Sequence, residues 1–279
     1  MPRPQTPYRP LDITVPFPEL SAYARTATRL HPCPGAPTAA DSSVGGPLLW
    51  PAAEAWPVCG EHGGAPLLPL AQFHAGDVPD LAPFAPPGTD LLQVLWCPRY
   101  AHEDGPFSHF GPYTRLVWRR AAEVTGPLAV PSPPPVAEQR YVPVPCVLHP
   151  EQVVEYPFAD YLPKELDQRI MAWEDELQAR IGPSAPWYQY DLSLAPGWKI
   201  GGWDSWHKTD LVRVYCDACG TEMRVLLTID SYEGNGAADS WGRYGDPGRP
   251  TGIGVGRDGE YRAFVCPADP AHPHRMSMQ

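Results

Sequence analysis

GWKIGGWDSWHKTDLVRVYCDACGTEMRVLLTID, residues 197–230, sets the reading of the whole chain. Its middle reads as strand, tight turn, strand. Leu211, Val212, Val214 and Tyr215 are strand formers before the turn, and residues 223–229 supply them after it. Between them sits Cys216-Asp217-Ala218-Cys219-Gly220. Two thiols two residues apart in a turn can face one point, and Gly220 gives the backbone the freedom such a metal knuckle needs. A redox Cys-x-x-Cys would instead open a helix, and nothing helical follows Gly220. Downstream, residues 231–259 read as a Gly-rich loop and residues 260–266 as a last strand ending on Cys266-Pro267.

Upstream, the same features recur in the same order. Gly45-Gly46-Pro47-Leu48-Leu49-Trp50 parallels Gly201-Gly202-Trp203-Asp204-Ser205-Trp206, an offset of 201 − 45 = 156. Cys59-x-x-His62 parallels Cys216-x-x-Cys219, and the apolar strand over 67–73 parallels the one over 225–229. Trp96-Cys97-Pro98 parallels Val265-Cys266-Pro267. A repeat of this kind is one structural unit used twice, each copy covering the apolar face of the other. The expected fold is therefore α+β and β-rich, with two similar halves from an internal duplication. Residues 1–125 form the first half, a Pro-rich connection covers 126–150, and 151–279 hold a helix plus the second half. Further strands are expected over 91–97 and 114–119.

The helix is expected over 163–181. Leu166, Ile170, Trp173, Leu177 and Ile181 repeat at 4, 3, 4 and 4 residues, one face of a helix that Pro163 opens and Gly182-Pro183 ends. The same segment carries an acidic run, Glu174-Asp175-Glu176, which reads as a solvated face.

These motifs resemble the YwqG-like family of bacterial proteins. The resemblance rests on Gly45-Gly46-Pro47, a Trp-Pro pair and Leu70-Ala71-Gln72-Phe73 in the first half. In the second it rests on Ile200-Gly201-Gly202, Cys-x-x-Cys-Gly, Leu226-Leu227-Thr228-Ile229-Asp230 and Trp241-Gly242. It covers about half the chain, residues 43–97 and 197–267. Thr228 stands where the family often has Gln, and residues 231–258 are longer than the family pattern. The resemblance implies two similar β-rich halves and no particular enzyme activity. More remotely, the chain is similar to programmed-cell-death-two-type proteins, which act on partner proteins as chaperones.

Composition narrows the function classes. The 279 residues carry a net charge of −11 and a pI near 5.2, which argues against non-specific nucleic-acid binding. With 39 Pro and 25 Gly the connections should be long and stiff, while 10 Trp and 13 Tyr argue for a folded core. No apolar run is long enough to span a membrane, and the first thirty residues lack the apolar core of a signal peptide. The expected location is cytoplasmic, and seven cysteines there do not read as a disulfide framework.

Two metal sets follow from the repeat. Cys216, Cys219 and Cys266, with His272 or His274, are expected to bind one structural zinc. The first-half equivalents are Cys59, His62, Cys97 and His102. Gly254-x-Gly256-x-x-Gly259 has a dinucleotide-binding spacing but follows a loop and precedes a strand, the wrong context. No G-x-S-x-G, H-E-x-x-H or P-loop is present, and the Cys-x-x-Cys lacks the H-x-E of zinc deaminases. His31, His109 and His207 read as ordinary surface or capping residues. The expected role is a protein-binding module of chaperone, immunity or adaptor type. Gln72, Trp187, Tyr190, Trp203 and Trp206 are its candidate contact residues, although large aromatics also fill cores. The alternative is an enzyme with a dispersed site between the halves, built from Gln72, the same aromatics and loop histidines.

Overall fold

A computed structural model of the chain describes residues 5–100, 102, 111–126, 138–234 and 248–279. His109, Trp241-Gly242 and the centre of the Pro-rich stretch lie outside the described residues. In chain order the strands are β1 Arg25–Arg29, β2 Cys33–Pro34, β3 Ser43–Val44, β4 Val58–Cys59, β5 Ala65–Pro66, β6 Leu68–His74, β7 Leu91–Trp96 and β8 Thr114–Arg119. They continue with β9 Cys146–Val147, β10 Glu151–Glu155, β11 Lys199–Gly201, β12 Arg224–Asp230, β13 Glu260–Val265 and β14 Arg275–Met278. The helix α1 spans Lys164–Ile181, between β10 and β11. The protein is thus β-rich with one long helix among the described residues.

The strands form two six-stranded antiparallel sheets and the small β4–β5 ribbon. One sheet has the order β2-β9-β3-β6-β7-β8, the other β10-β1-β11-β12-β13-β14. The last four strands of each correspond in order. Corresponding pairs also share register: Ser43 faces Gln72 as Lys199 faces Thr228. Each sheet has a bulge at one place, Leu70 between β6 and β7 and Leu226 between β12 and β13, and 226 − 70 = 156. The first two strands of each sheet are crossed over. β1, from the start of the chain, pairs with β10 and β11, whereas β9 pairs with β2 and β3.

Burial explains why the long strands read so clearly. Every residue of β7 is buried, as are the middle five of β12 and the last five of β13. The main core draws on both sheets, with Phe73, Val94 and Trp96 from one and Ile200, Leu227, Ile229 and Tyr261 from the other. Each outer face has its own smaller core. Leu48, Trp50, Leu67 and Leu95 pack around Cys59 and Cys97. Trp203, Trp206, Val225 and Phe264 pack around Cys216 and Cys266. In each smaller core a tryptophan carries an arginine on its face, Arg119 at 4.3 Å from the Trp50 ring and Arg262 at 4.0 Å from Trp206.

α1 begins after Pro163 and ends at Gly182, whose φ of 78° is the left-handed turn that glycine favours. Its stripe packs as read, with Leu166, Ile170 and Leu177 buried and Trp173 edge-on to Phe17 at 5.7 Å, but Ile181 is exposed. One expectation about the opening stretch does not hold. Residues 211–215 form no strand beyond a single bridge, Tyr215 to Glu222. Val214 is buried and its carbonyl accepts from Met223 N–H at 2.8 Å, but Val212 and Tyr215 are about half exposed, so the arm has too little buried surface to extend as a strand.

Candidate metal centres

In the first half, the β4–β5 ribbon turns through Gly63 and Gly64, both left-handed at φ 64° and 73°. Gly64 N–H donates to the Cys59 carbonyl at 3.1 Å, closing a knuckle that holds Cys59 and His62 on one side. Cys97 follows directly on β7, its N–H bonded to Tyr113 O at 2.8 Å. His62 Nδ1 lies 3.4 Å from both Cys59 Sγ and Cys97 Sγ. The His102 ring meets His62 edge-on, with centroids 4.7 Å apart. His102 Nδ1 is 3.0 Å from Gly111 O. A carbonyl only accepts, so Nδ1 carries the proton and Nε2 keeps its lone pair. That Nε2 is buried with no hydrogen-bond partner among the described residues. One ligand atom from each of the four side chains falls within 4.8 Å of every other.

The second half builds the same object from different residues. Gly220, at φ 70°, donates to Cys216 O at 2.8 Å, and Cys216 N–H donates to Thr221 O at 2.9 Å. No atom lies within 4 Å of the position a Cβ on Gly220 would take, so the backbone angle alone calls for glycine. Cys266 follows directly on β13, and its Sγ is 3.5 Å from Cys219 Sγ. His272 Nδ1 lies 3.4 Å from Cys216 Sγ. Behind the ring, Asp269 Oδ2 is 3.6 Å from His272 Nε2, the nitrogen remote from the thiols. A carboxylate or carbonyl on the far nitrogen of a histidine is how metal-binding imidazoles are oriented, and each cluster has one.

Electrostatics differ between the two. Burial, and then the neighbouring Cys59, push the Cys97 thiol up to about 12. The Thr221 hydroxyl, then its backbone N–H, hold the Cys219 thiol at about 6, while burial raises Cys266. A buried thiol pair ionises only beside a compensating positive charge, which a divalent cation supplies. Both clusters could hold a metal ion.

The sequence assigned His272 or His274 to the second set, and the structure brings in His272. His274 turns the other way. Its Nε2 donates to Thr114 O at 3.0 Å, and burial lowers its pKa, so it ties β14 to the opposite sheet. The candidate contact residues also divide. Gln72 is fully buried and its amide is saturated: Oε1 accepts from Leu49 N–H and Gln93 Nε2, and Nε2 donates to Ala39 O and Asp41 O. It serves the fold and offers no surface. Trp203 and Trp206 are buried too, donating to Tyr23 O and Asp204 respectively. Trp187 and Tyr190 remain exposed, at 42% and 37%.

Tyr190 stacks on His207 at 5.2 Å and lines a cleft of about 220 Å³ that also holds Asp230 and Glu260. These two carboxylates face each other across β12 and β13. Burial, then Glu260, push the Asp230 carboxyl up to about 7. This pair was not among the residues the sequence pointed to. Its only signal was an acid at the end of each of two strands whose pairing the sequence did not give away. Among the described residues, no helix is long and apolar enough to cross a membrane. Compared with known proteins, the chain matches no family model and no curated protein.

Proposed function

We propose that the protein is a cytoplasmic protein-binding module whose two halves arose by duplication and are each held by one structural zinc ion. The observation that carries this reading is the pair of four-ligand nitrogen–sulfur sets at corresponding strand ends, Cys97 after β7 and Cys266 after β13. A tetrahedral zinc puts sulfurs about 3.8 Å apart and sulfur and nitrogen about 3.6 Å apart. The closest approaches of 3.5 and 3.4 Å leave only a small expansion to make. Four protein ligands leave no open position for a substrate, so the ion would hold the fold and not react. The matched strand order, register and bulges support the duplication. The likeness to YwqG-like proteins and the exposed Trp187 and Tyr190 support the binding role. Elemental analysis of protein purified without added metal should give two zinc per chain. Fewer than about 0.2 at sites this closed would sink the proposal. Affinity purification with mass spectrometry should return one stoichiometric protein.

The cleft with Asp230 and Glu260 favours a second reading, an enzyme using the pair in acid–base chemistry. A broad esterase, phosphatase and peptidase screen separates the two. Turnover lost in Asp230→Asn protein that still melts normally would support the enzyme, and background rates throughout would leave the binding module.

A further inference from the structure

Acids outnumber bases 32 to 21, yet two neighbouring arginines have no acidic partner among the described residues. Several other arginines are matched: Arg119 with Glu54, Arg169 with Glu19, Arg249 with Asp258 and Arg275 with Asp217. Arg25 on β1 and Arg224 at the start of β12 form no ion pair with any described residue. Arg25 makes a single long hydrogen bond, 3.5 Å to Gly202 O. Both side chains line two adjoining clefts, of about 340 and 250 Å³. Each guanidinium is braced by an aromatic ring, Arg25 at 3.3 Å over Trp203 and Arg224 at 5.5 Å over Phe84.

The acids lining the clefts are already committed. Asp80 accepts from the Thr26 and Thr28 hydroxyls and from Gln152. Asp204 accepts from the Tyr161 hydroxyl and Trp206 Nε1, and Glu222 is bound to Arg213. Burial, and then the like charge of Arg224, lower the Arg25 pKa, and the nearby Asp204 and Glu222 offset this only in part.

We propose that this groove binds an acidic segment of a protein partner, the Arg25 and Arg224 forks taking its carboxylate or phosphoryl oxygens. Arginine is suited to this because its planar fork meets an oxyanion through two parallel hydrogen bonds. The combined clefts exceed what a lone oxyanion needs. Their walls, Tyr161, Trp203 and Phe84, offer flat apolar surface for neighbouring side chains. The proposal deepens the protein-binding reading and rests on it.

The test uses the full chain and fluorescence anisotropy with three labelled peptides of one length: Glu-rich, phosphoserine-containing, and a Gln-rich control. The first two should bind saturably, more weakly as salt rises, and the control should not. Arg224 is exposed, so Arg224→Gln should leave the melting curve unchanged and weaken acidic-peptide binding about tenfold. Arg25→Lys, which keeps the charge and loses the fork, should weaken it as well. Preference for the phosphopeptide over the Glu-rich peptide would assign the anion as phosphoryl, and the reverse as carboxylate. Equal binding of the control, unchanged binding by Arg224→Gln, or binding of inorganic phosphate without either acidic peptide would overturn the proposal. A native partner captured equally by wild type and Arg224→Gln would overturn the groove while leaving the protein-binding reading intact.

Discussion

The two cysteine–histidine clusters occupy the same places on two corresponding sheets and are built from different chemistry. The first has two cysteines and two histidines, three of the four buried, and its thiol at Cys97 is pushed up to about 12. The second has three cysteines and one histidine, and its Cys219 is exposed and held at about 6. The comparison teaches that the scaffold dictates where ligands stand and leaves their identity free. If each cluster holds the zinc ion proposed above, the two ions should be held unequally. A site sunk in a smaller core should release its ion only when the sheet opens, whereas one with an exposed thiolate can exchange at the surface.

The largest expected effect breaks the first cluster. Cys97→Ala removes a buried ligand, and because binding energy at such a site is folding energy, the loss should be about 3 kcal/mol or more. Elemental analysis should fall from two zinc per chain to one, with a large drop in melting temperature. A variant that kept both ions would remove Cys97 from the set. The second cluster is tested by a histidine pair. His272→Ala should lose one ion, while His274→Ala should keep both and cost about 1 kcal/mol through its lost bond to Thr114 O. The opposite pattern of metal content would reverse the assignment.

A smaller effect sharpens the contrast between the two histidine supports. Asp269→Asn weakens the charge behind His272, so a competing chelator should strip the second site 10–100-fold more readily, with the first unaffected. Equal loss from both sites would show the clusters to be linked. The smallest effect needs no mutation. In metal-free protein at pH 7, Cys219 should be alkylated first, since the thiolate is the nucleophile and Cys97 is held neutral by burial. Mass spectrometry of the modified peptides reads the order directly.

Much of this architecture was legible in the chain, for local reasons. β6, β7, β8 and α1 are long enough for their apolar pattern to stand out, and the Cys-x-x-Cys-Gly turn is a local motif. The pairings that cross the sheets were not legible. β9 has two residues and carries no periodicity, and nothing near Arg29 announces Lys199 as its neighbour. β14, with Arg-Met-Ser-Met, lacks the branched and aromatic residues that mark a strand, and it forms because β13 offers an open edge. The choice between His272 and His274 turned on the Asp269 turn, where Ala271 N–H donates to Asp269 Oδ1 at 2.8 Å. Trp203 and Trp206 could not be told from a surface platform because residue type alone does not say which face of a loop meets the core.

The exchange of β1 and β9 between the sheets bears on how the chain is made. A ribosome that has delivered only the first 125 residues holds β1 without the sheet it belongs to, and β3 with one flank bare until β9 emerges. During that interval the nascent chain offers an open edge to any passing strand, including the β9 of another copy. Two molecules trading these segments would each complete the other, so slow or interrupted synthesis should enrich interlocked dimers with native sheets in both.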